Sequence, residues 1–129
     1  GLCVDCLNGK PGIYSARWAK KYGNFEEASK KIIELMKEKN KGKKKKNTKA
    51  KFICSLTFCF DLNKIITTNG IIKGNISDKL CGKNGFGYDP IFIPNGSKIT
   101  FGQMSKRKKI LMDHRFLAFR KLKRKINIL

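Results

Sequence analysis

Acidic side chains are scarce in this chain. Only 9 Asp and Glu stand against 30 Lys and Arg in 129 residues, a formal charge of +21. There is one histidine, and the five cysteines follow no regular spacing. Cys3 and Cys6 form a CxxC, but no second CxxC and no histidine pair completes the four ligands a structural zinc needs. Those two thiols are therefore expected to pack in a strand. An odd, irregular set of cysteines suggests reduced thiols in an intracellular protein, and a cytoplasmic location is expected. No apolar run approaches the roughly 20 residues of a membrane span. Hydrophobic residues at 40% exclude a wholly disordered polymer, and the length suits one domain, residues 1–129, with a single modest core.

Aromatic residues are missing where the positive charge is densest. Nine lysines fall within Lys37–Lys51, around Gly42-Lys43-Lys44-Lys45-Lys46-Asn47. Like charges so close repel and stay solvated, so the tract reads as a flexible Lys-rich insertion. Basic tracts bind nucleic acid by releasing counterions. Without interleaved rings this one offers no stacking platform, so only non-specific retention is expected.

The remaining segments alternate between strand and helix signals. Gly1–Leu7 reads as a short strand closed by the turn Asn8–Gly12. Asn24 is placed as an N-cap, with Glu27 its reciprocal partner in a capping box. Phe25, Ala28, Ile32, Leu35 and Met36 recur at helical spacing and predict a helix from about Phe25 to Glu38. Phe52, Cys54, Leu56, Phe58 and Phe60 share one face of a strand by strict alternation, which sends Cys54 and Cys59 to opposite faces. Asp61–Asn63 makes a turn, Ile65–Thr68 a second strand and Gly70–Ile76 a third. Near the end, Asp113 can cap a helix whose apolar stripe is Ala118, Phe119, Leu122, Ile126 and Leu129. Strands in succession between helices argue a mixed α+β or α/β chain.

The most specific stretch is Gly82-Lys83-Asn84-Gly85-Phe86-Gly87-Tyr88-Asp89-Pro90-Ile91-Phe92. Glycines flank Phe86 and permit close approach to the main chain. Pro90 biases Asp89 towards an extended conformation, so the loop is expected to run straight into a strand at Ile91–Ile93. Two rings and a carboxylate at the mouth of a strand suit a flat ligand with polar edges, such as a nucleobase. The plainer alternative is a glycine-rich turn whose rings join the core. His114 beside Arg115 at a helix start is open in the same way, incidental or functional.

Three blocks together resemble a known family. Gly1-Leu2-Cys3-Val4-Asp5 with Gly9–Arg17, then Gly82–Phe92, then Lys109 with His114-Arg115, are similar to successive blocks of the inosine triphosphate pyrophosphatase family. The middle block matches Gly-x-x-Gly-Phe-Gly-Tyr-Asp-Pro-x-Phe. The resemblance implies a long twisted mixed sheet flooring a cleft between two lobes, and a homodimer. It implies magnesium-dependent hydrolysis of inosine, xanthosine and deoxyinosine triphosphates to monophosphate and diphosphate. By matching position, Phe86, Gly87 and Tyr88 would frame the base with Asp89 at its polar edge. Lys109 would neutralise phosphate, and His114 with Arg115 would read the base.

The chain also departs from the family pattern. The first block, with its Ser/Thr-x-Asn-x-x-Lys loop and metal-binding glutamate, has no counterpart. The Asp-Asp-Ser carrying the catalytic aspartate would lie just ahead of Gly1. Asp113 stands where the family has serine, and Asp5 is assigned to a strand. The expectation is the C-terminal two-thirds of such an enzyme, with base-recognition residues but no catalytic or metal-binding residue of its own, inactive alone. The rivals are a non-enzymatic basic module binding nucleic acid and an inactive paralogue that kept the fold.

Overall fold

The computed structural model describes residues 1–127. Strands β1 (Leu2–Val4), β2 (Lys10–Pro11), β3 (Lys49–Asp61), β4 (Lys64–Ile76) and β5 (Phe92–Pro94) form one sheet in the order β2-β1-β3-β4-β5. Helices α1 (Ser15–Tyr22), α2 (Phe25–Asn40), α3 (Lys106–Ile110) and α4 (His114–Asn127) complete an α+β architecture. Every pairing among the described strands is antiparallel, so the parallel pairing of a mixed sheet is not among them. No helix among the described residues is long and apolar enough to cross a membrane.

The signals for α2 are local, and the helix forms where they point. Asn24 is extended and its side chain accepts the Glu27 amide at 2.8 Å. The return half of the capping box is replaced by an exposed pair, Glu27 with Lys30 at 3.2 Å. The helix runs two residues beyond Glu38 because Asn40 closes it. The buried Asn40 side chain donates to the Met36 and Asn47 carbonyls and accepts the Asn47 amide at 2.9 Å. The lysine tract is therefore three structures in succession: helix to Asn40, an exposed loop tied at its root, and strand from Lys49.

A single long hairpin replaces the three strands expected after Lys51. Residues 64–76 form one strand that passes through Gly70 without a break. Glycine usually weakens a strand interior, or else marks a close approach of other backbone. Here it is the approach. A Cβ at Gly70 would stand 1.9 Å from the His114 carbonyl oxygen and 2.6 Å from the Ala118 amide nitrogen. Helix α4 lies on the strand at this point, held also by the Thr68 hydroxyl donating to the Ala118 carbonyl at 2.7 Å.

Even-numbered residues of both long strands turn to the helical side. Phe52 packs against Phe92 and Phe101, with ring centroids at 4.5 and 6.1 Å. Leu2, Val4, Ile32, Met36 and Ile91 fill the same core. The periodic face runs out along the hairpin, however. Phe58 and Phe60, on the same face as Phe52, are exposed because the hairpin tip extends past the helices, and the two rings pack on each other. On α4, Ala118 and Leu122 are buried and Ile126 is half-buried, but Phe119 is 56% exposed. Leu129 lies outside the described residues. Asp5 and Cys6 belong to a 3-10 turn after β1, not to the strand.

Gly70→Ala is expected to cost about 1–3 kcal/mol, the usual range for an overpacked site, because the obstacles are helix backbone and cannot rotate away. Urea denaturation measures it. An unchanged midpoint would mean that α4 does not rest on β4 as described.

Candidate functional site

The loop 82–88 is anchored before it presents anything. The Asn84 amide donates to the Gly102 carbonyl at 2.8 Å, and its side chain donates to the Met104 carbonyl at 3.0 Å. Gly85 has φ +73°, and a Cβ there would meet Asp89 Oδ2 at 2.1 Å. Only glycine serves, because the chain must turn left-handed directly over a carboxylate. That oxygen accepts the Phe86 amide at 2.9 Å and the Lys109 ammonium at 2.5 Å. Asp89 thus holds Phe86 from below and ties the loop to α3, where Ser105 caps the first turn by accepting the Lys108 amide at 3.2 Å.

Phe86 is held down at its backbone and free at its ring. The ring is 60% exposed, with Lys109 Nζ 4.6 Å and Arg115 Cζ 4.5 Å from its centroid. Cations over an aromatic face contribute about 0.5–1 kcal/mol when exposed and more when desolvated. A cleft of about 800 Å³ opens beside it, within the range of small-molecule sites. Asn84, Met104, Asp113, Arg115, Phe116 and Phe119 are among its walls.

The seven residues singled out by sequence divide here. Phe86, Lys109 and Arg115 line the cleft; Gly87, Tyr88, Asp89 and His114 do not. Tyr88 is 3% exposed, set edge-on to Phe25 at 5.3 Å, and its hydroxyl donates to the Ser15 carbonyl at 2.6 Å. Burial pushes its pKa up to about 12. Its ring is therefore a packing element and not a frame for the base. Asp89 is likewise buried, with Oδ2 committed to Lys109 and the Phe86 amide rather than to a ligand edge. The Asp89–Ile91 segment is a 3-10 turn, so the strand begins one residue later than expected, at Phe92.

Lys109 and His114 also differ from expectation. The Lys109 ammonium is buried between Asp89 and Asp113, the latter at 3.8 Å, so its charge is already matched by protein. Arg115, with its side chain 52% exposed, is open to a ligand, as is the exposed Lys106 at the cleft wall. His114 faces the core and stacks on Phe52 at 4.9 Å with rings 10° from parallel. Its Nδ1 is buried without a hydrogen bond among the described residues. Desolvation lowers its pKa to about 4, outweighing the opposing pull of Asp113.

Sequence reasoning missed Phe116, Phe119 and Met104 as walls. Phe119 fits the apolar stripe of α4 by spacing, which gives no sign that it faces a cleft. The available signal was the run Arg115-Phe116…Phe119, two rings three apart beside the exposed cation. Asp113 does what its spacing suggested: its Oδ1 accepts the Arg115 amide at 2.7 Å and starts α4.

An anchored loop, an exposed ring and a guanidinium stand together beside an aromatic cleft, an arrangement whose shape suits a flat, polar-edged ligand. Comparison with known proteins gives the lineage. The Ham1 family model matches residues 1–125, and the chain belongs to the Ham1 family. It is 40% identical over 126 residues to the dITP/XTP pyrophosphatase of Clostridium tetani, covering 98% of this chain and 60% of that protein. Identity to the dITP/XTP pyrophosphatase of Clostridium perfringens is 42% over 123 residues, covering 95% and 58%. The fold superposes on a HAM1 protein from Coxiella burnetii with a TM-score of 0.89 at 28% identity, covering 100% of this chain and 64% of that one. For the Staphylococcus aureus Ham1 protein the score is 0.79 at 34% identity, covering 98% and 63%. The chain spans about three fifths of the length of the curated relatives it matches.

Removing the cation from a buried pair strands its partner, at a cost of about 3–5 kcal/mol. Lys109→Met should lose stability on that scale in urea titrations, and adding Asp89→Asn should recover part of the loss. No loss in the single variant would mean that the pair does not hold the loop.

His114 makes stability depend on pH in a definite direction. Above pH about 6.5 the imidazole is neutral whether folded or unfolded. Between about 6.5 and about 4 the unfolded chain binds a proton that the folded chain resists, so stability falls as pH falls through this window. His114→Phe should keep the stack on Phe52 and flatten the dependence between pH 6.5 and 5, read from thermal midpoints. An unaltered slope would assign the dependence to other groups.

Proposed function

We propose that the protein hydrolyses deoxyinosine, inosine and xanthosine triphosphates to monophosphate and diphosphate, cleansing the nucleotide pool, with residues 1–129 forming the base-recognition side of its site. The observation that carries this is the exposed Phe86 ring with Arg115 across it, at an aromatic-walled cleft, in a chain of a family whose relatives bear the name dITP/XTP pyrophosphatase. A purine stacked on Phe86 gains about 1–3 kcal/mol whatever its identity. Selection then falls to polar groups at the base edge. A site built to donate to a keto oxygen is left with an unpaired donor against adenine, and such sites reject analogues by up to about 10⁴–10⁵-fold.

Magnesium belongs to the same proposal, since hard cations held by oxygen ligands stabilise charge on a phosphoryl group under attack. The donor set described here does not suit it. The two carboxylates near the cleft, Asp89 and Asp113, both face Lys109, and no group of three potential metal ligands occurs among the described residues. These residues therefore account for the base and its orientation and not for the metal. A homodimer and a cytoplasmic location complete the proposal.

Phe86→Ala is expected to weaken inosine triphosphate binding by about 1–3 kcal/mol without changing the fold, since its ring lies at the surface. Arg115→Ala should narrow the preference for inosine over adenosine triphosphate. Calorimetry with both nucleotides in EDTA separates the two effects. Unchanged inosine triphosphate affinity in a folded Phe86→Ala protein would remove the stacking surface from the site.

A further inference from the structure

The Arg115 guanidinium has a neighbour that the base-binding argument leaves unused. Asp113 lines the same cleft, and its Oδ2 stands 4.0 Å from Arg115 Nη1 and 3.8 Å from Lys109 Nζ. The other oxygen, Oδ1, is fixed by the Arg115 amide at 2.7 Å. The carboxylate is thereby oriented by the start of α4, while no donor among the described residues lies within hydrogen-bonding distance of Oδ2. An oriented acceptor and an oriented donor sit side by side at the mouth of an aromatic cleft. A carboxylate oxygen has lone pairs for more than one donor and loses stability if desolvated without them.

We infer that Asp113 is a specificity-determining residue: Oδ2 accepts the N1–H of a 6-oxopurine while Arg115 donates to the adjacent O6. The inference rests on the base-binding reading above and deepens it. A lactam edge presents an acceptor and a donor on neighbouring atoms, the complement of what Arg115 and Asp113 present. Adenine in the same orientation presents the reverse. Its N1 lone pair would face the carboxylate and its amino group the guanidinium, two repulsive contacts in place of two bonds. Hypoxanthine, xanthine and guanine share the N1–H and O6 pair, so Asp113 separates 6-oxopurines from adenine and does not separate them from one another. Lys109 and Arg115 are the cations facing Asp113 from α3 and α4, at 3.8 and 4.0 Å.

The test combines a variant with a modified base. Asp113→Asn keeps an oxygen for the Arg115 amide and turns Oδ2 into a donor. 1-Methylinosine triphosphate keeps O6 and loses the N1–H. Binding of inosine and 1-methylinosine triphosphates to both proteins is measured by calorimetry in EDTA, with thermal midpoints as a check on folding. In the unaltered protein, methylation should weaken binding roughly 10- to 100-fold, the range for a hydrogen bond to a charged group. Asp113→Asn should weaken inosine triphosphate similarly and make the two nucleotides nearly equivalent. If the Asn variant does not fold, Asp113→Gly, which starts a helix at little cost and has no side-chain acceptor, replaces it with the same expectation. An equal methylation penalty in both proteins, or undiminished inosine triphosphate binding by the variant, overturns the role of Asp113 and leaves base binding at Phe86 standing. Failure of the unaltered protein to bind inosine triphosphate overturns both.

Discussion

The buried ion pair between Lys109 and Asp89 is the contact on which the site depends. It joins the glycine loop to α3 across 20 residues of sequence, and the same carboxylate oxygen fixes the Phe86 amide. A buried pair is weak evidence of net stability, because desolvation of two charges offsets much of their attraction. Its value here is geometric. With Asp89 below and Lys109 beside it, the Phe86 ring can stay exposed without the loop collapsing onto the core. The glycine at position 85 is the steric condition for that arrangement, since any side chain would displace the carboxylate.

A division of labour among like residues follows. Of the two cations over the Phe86 ring, Lys109 is paired internally and Arg115 remains available. Of the carboxylates, Asp89 is structural on both its contacts, whereas Asp113 caps α4 with one oxygen and leaves the other at the cleft. Of the rings, Phe86 faces solvent while Tyr88, two residues on, is anchored to Ser15 from 73 residues away. Neighbouring positions in one motif thus do opposite things, because a turn with successive positive-φ glycines sends adjacent side chains in different directions.

His114 shows how the core and the cleft share an element. Its ring lies on Phe52 at the centre of the hydrophobic cluster, and its carbonyl rests where Gly70 has no side chain. The residues on either side of it, Asp113 and Arg115, line the cleft. The close seat of α4 on β4 therefore sets the position of both groups at the cleft. Gly70, far from the cleft in sequence, is part of the reason that Arg115 lies over Phe86.

Sequence alone determined the parts governed by short-range rules. The cap at Asn24, the periodic face of α2, the start of α4 at Asp113 and the long β-rich segment at Phe52 all depend on residues within a few positions of one another. The glycine loop was also recognisable as a turn, because glycine permits the positive φ found at Gly82, Gly85 and Gly87. Tertiary structure decided which side chains of that loop and helix face the cleft. Tyr88 and His114 turn inward because Ser15 and Phe52 are there to receive them, and Lys109 is neutralised because Asp89 arrives beneath it. The apolar stripe of α4 and the alternating face of β3 were correct as periodicity. They did not say where the opposing surface ends, and Phe58, Phe60 and Phe119 lie beyond it. Contacts between residues tens of positions apart leave no periodic trace, which is why the residues of the motif were legible in the sequence and their roles were not.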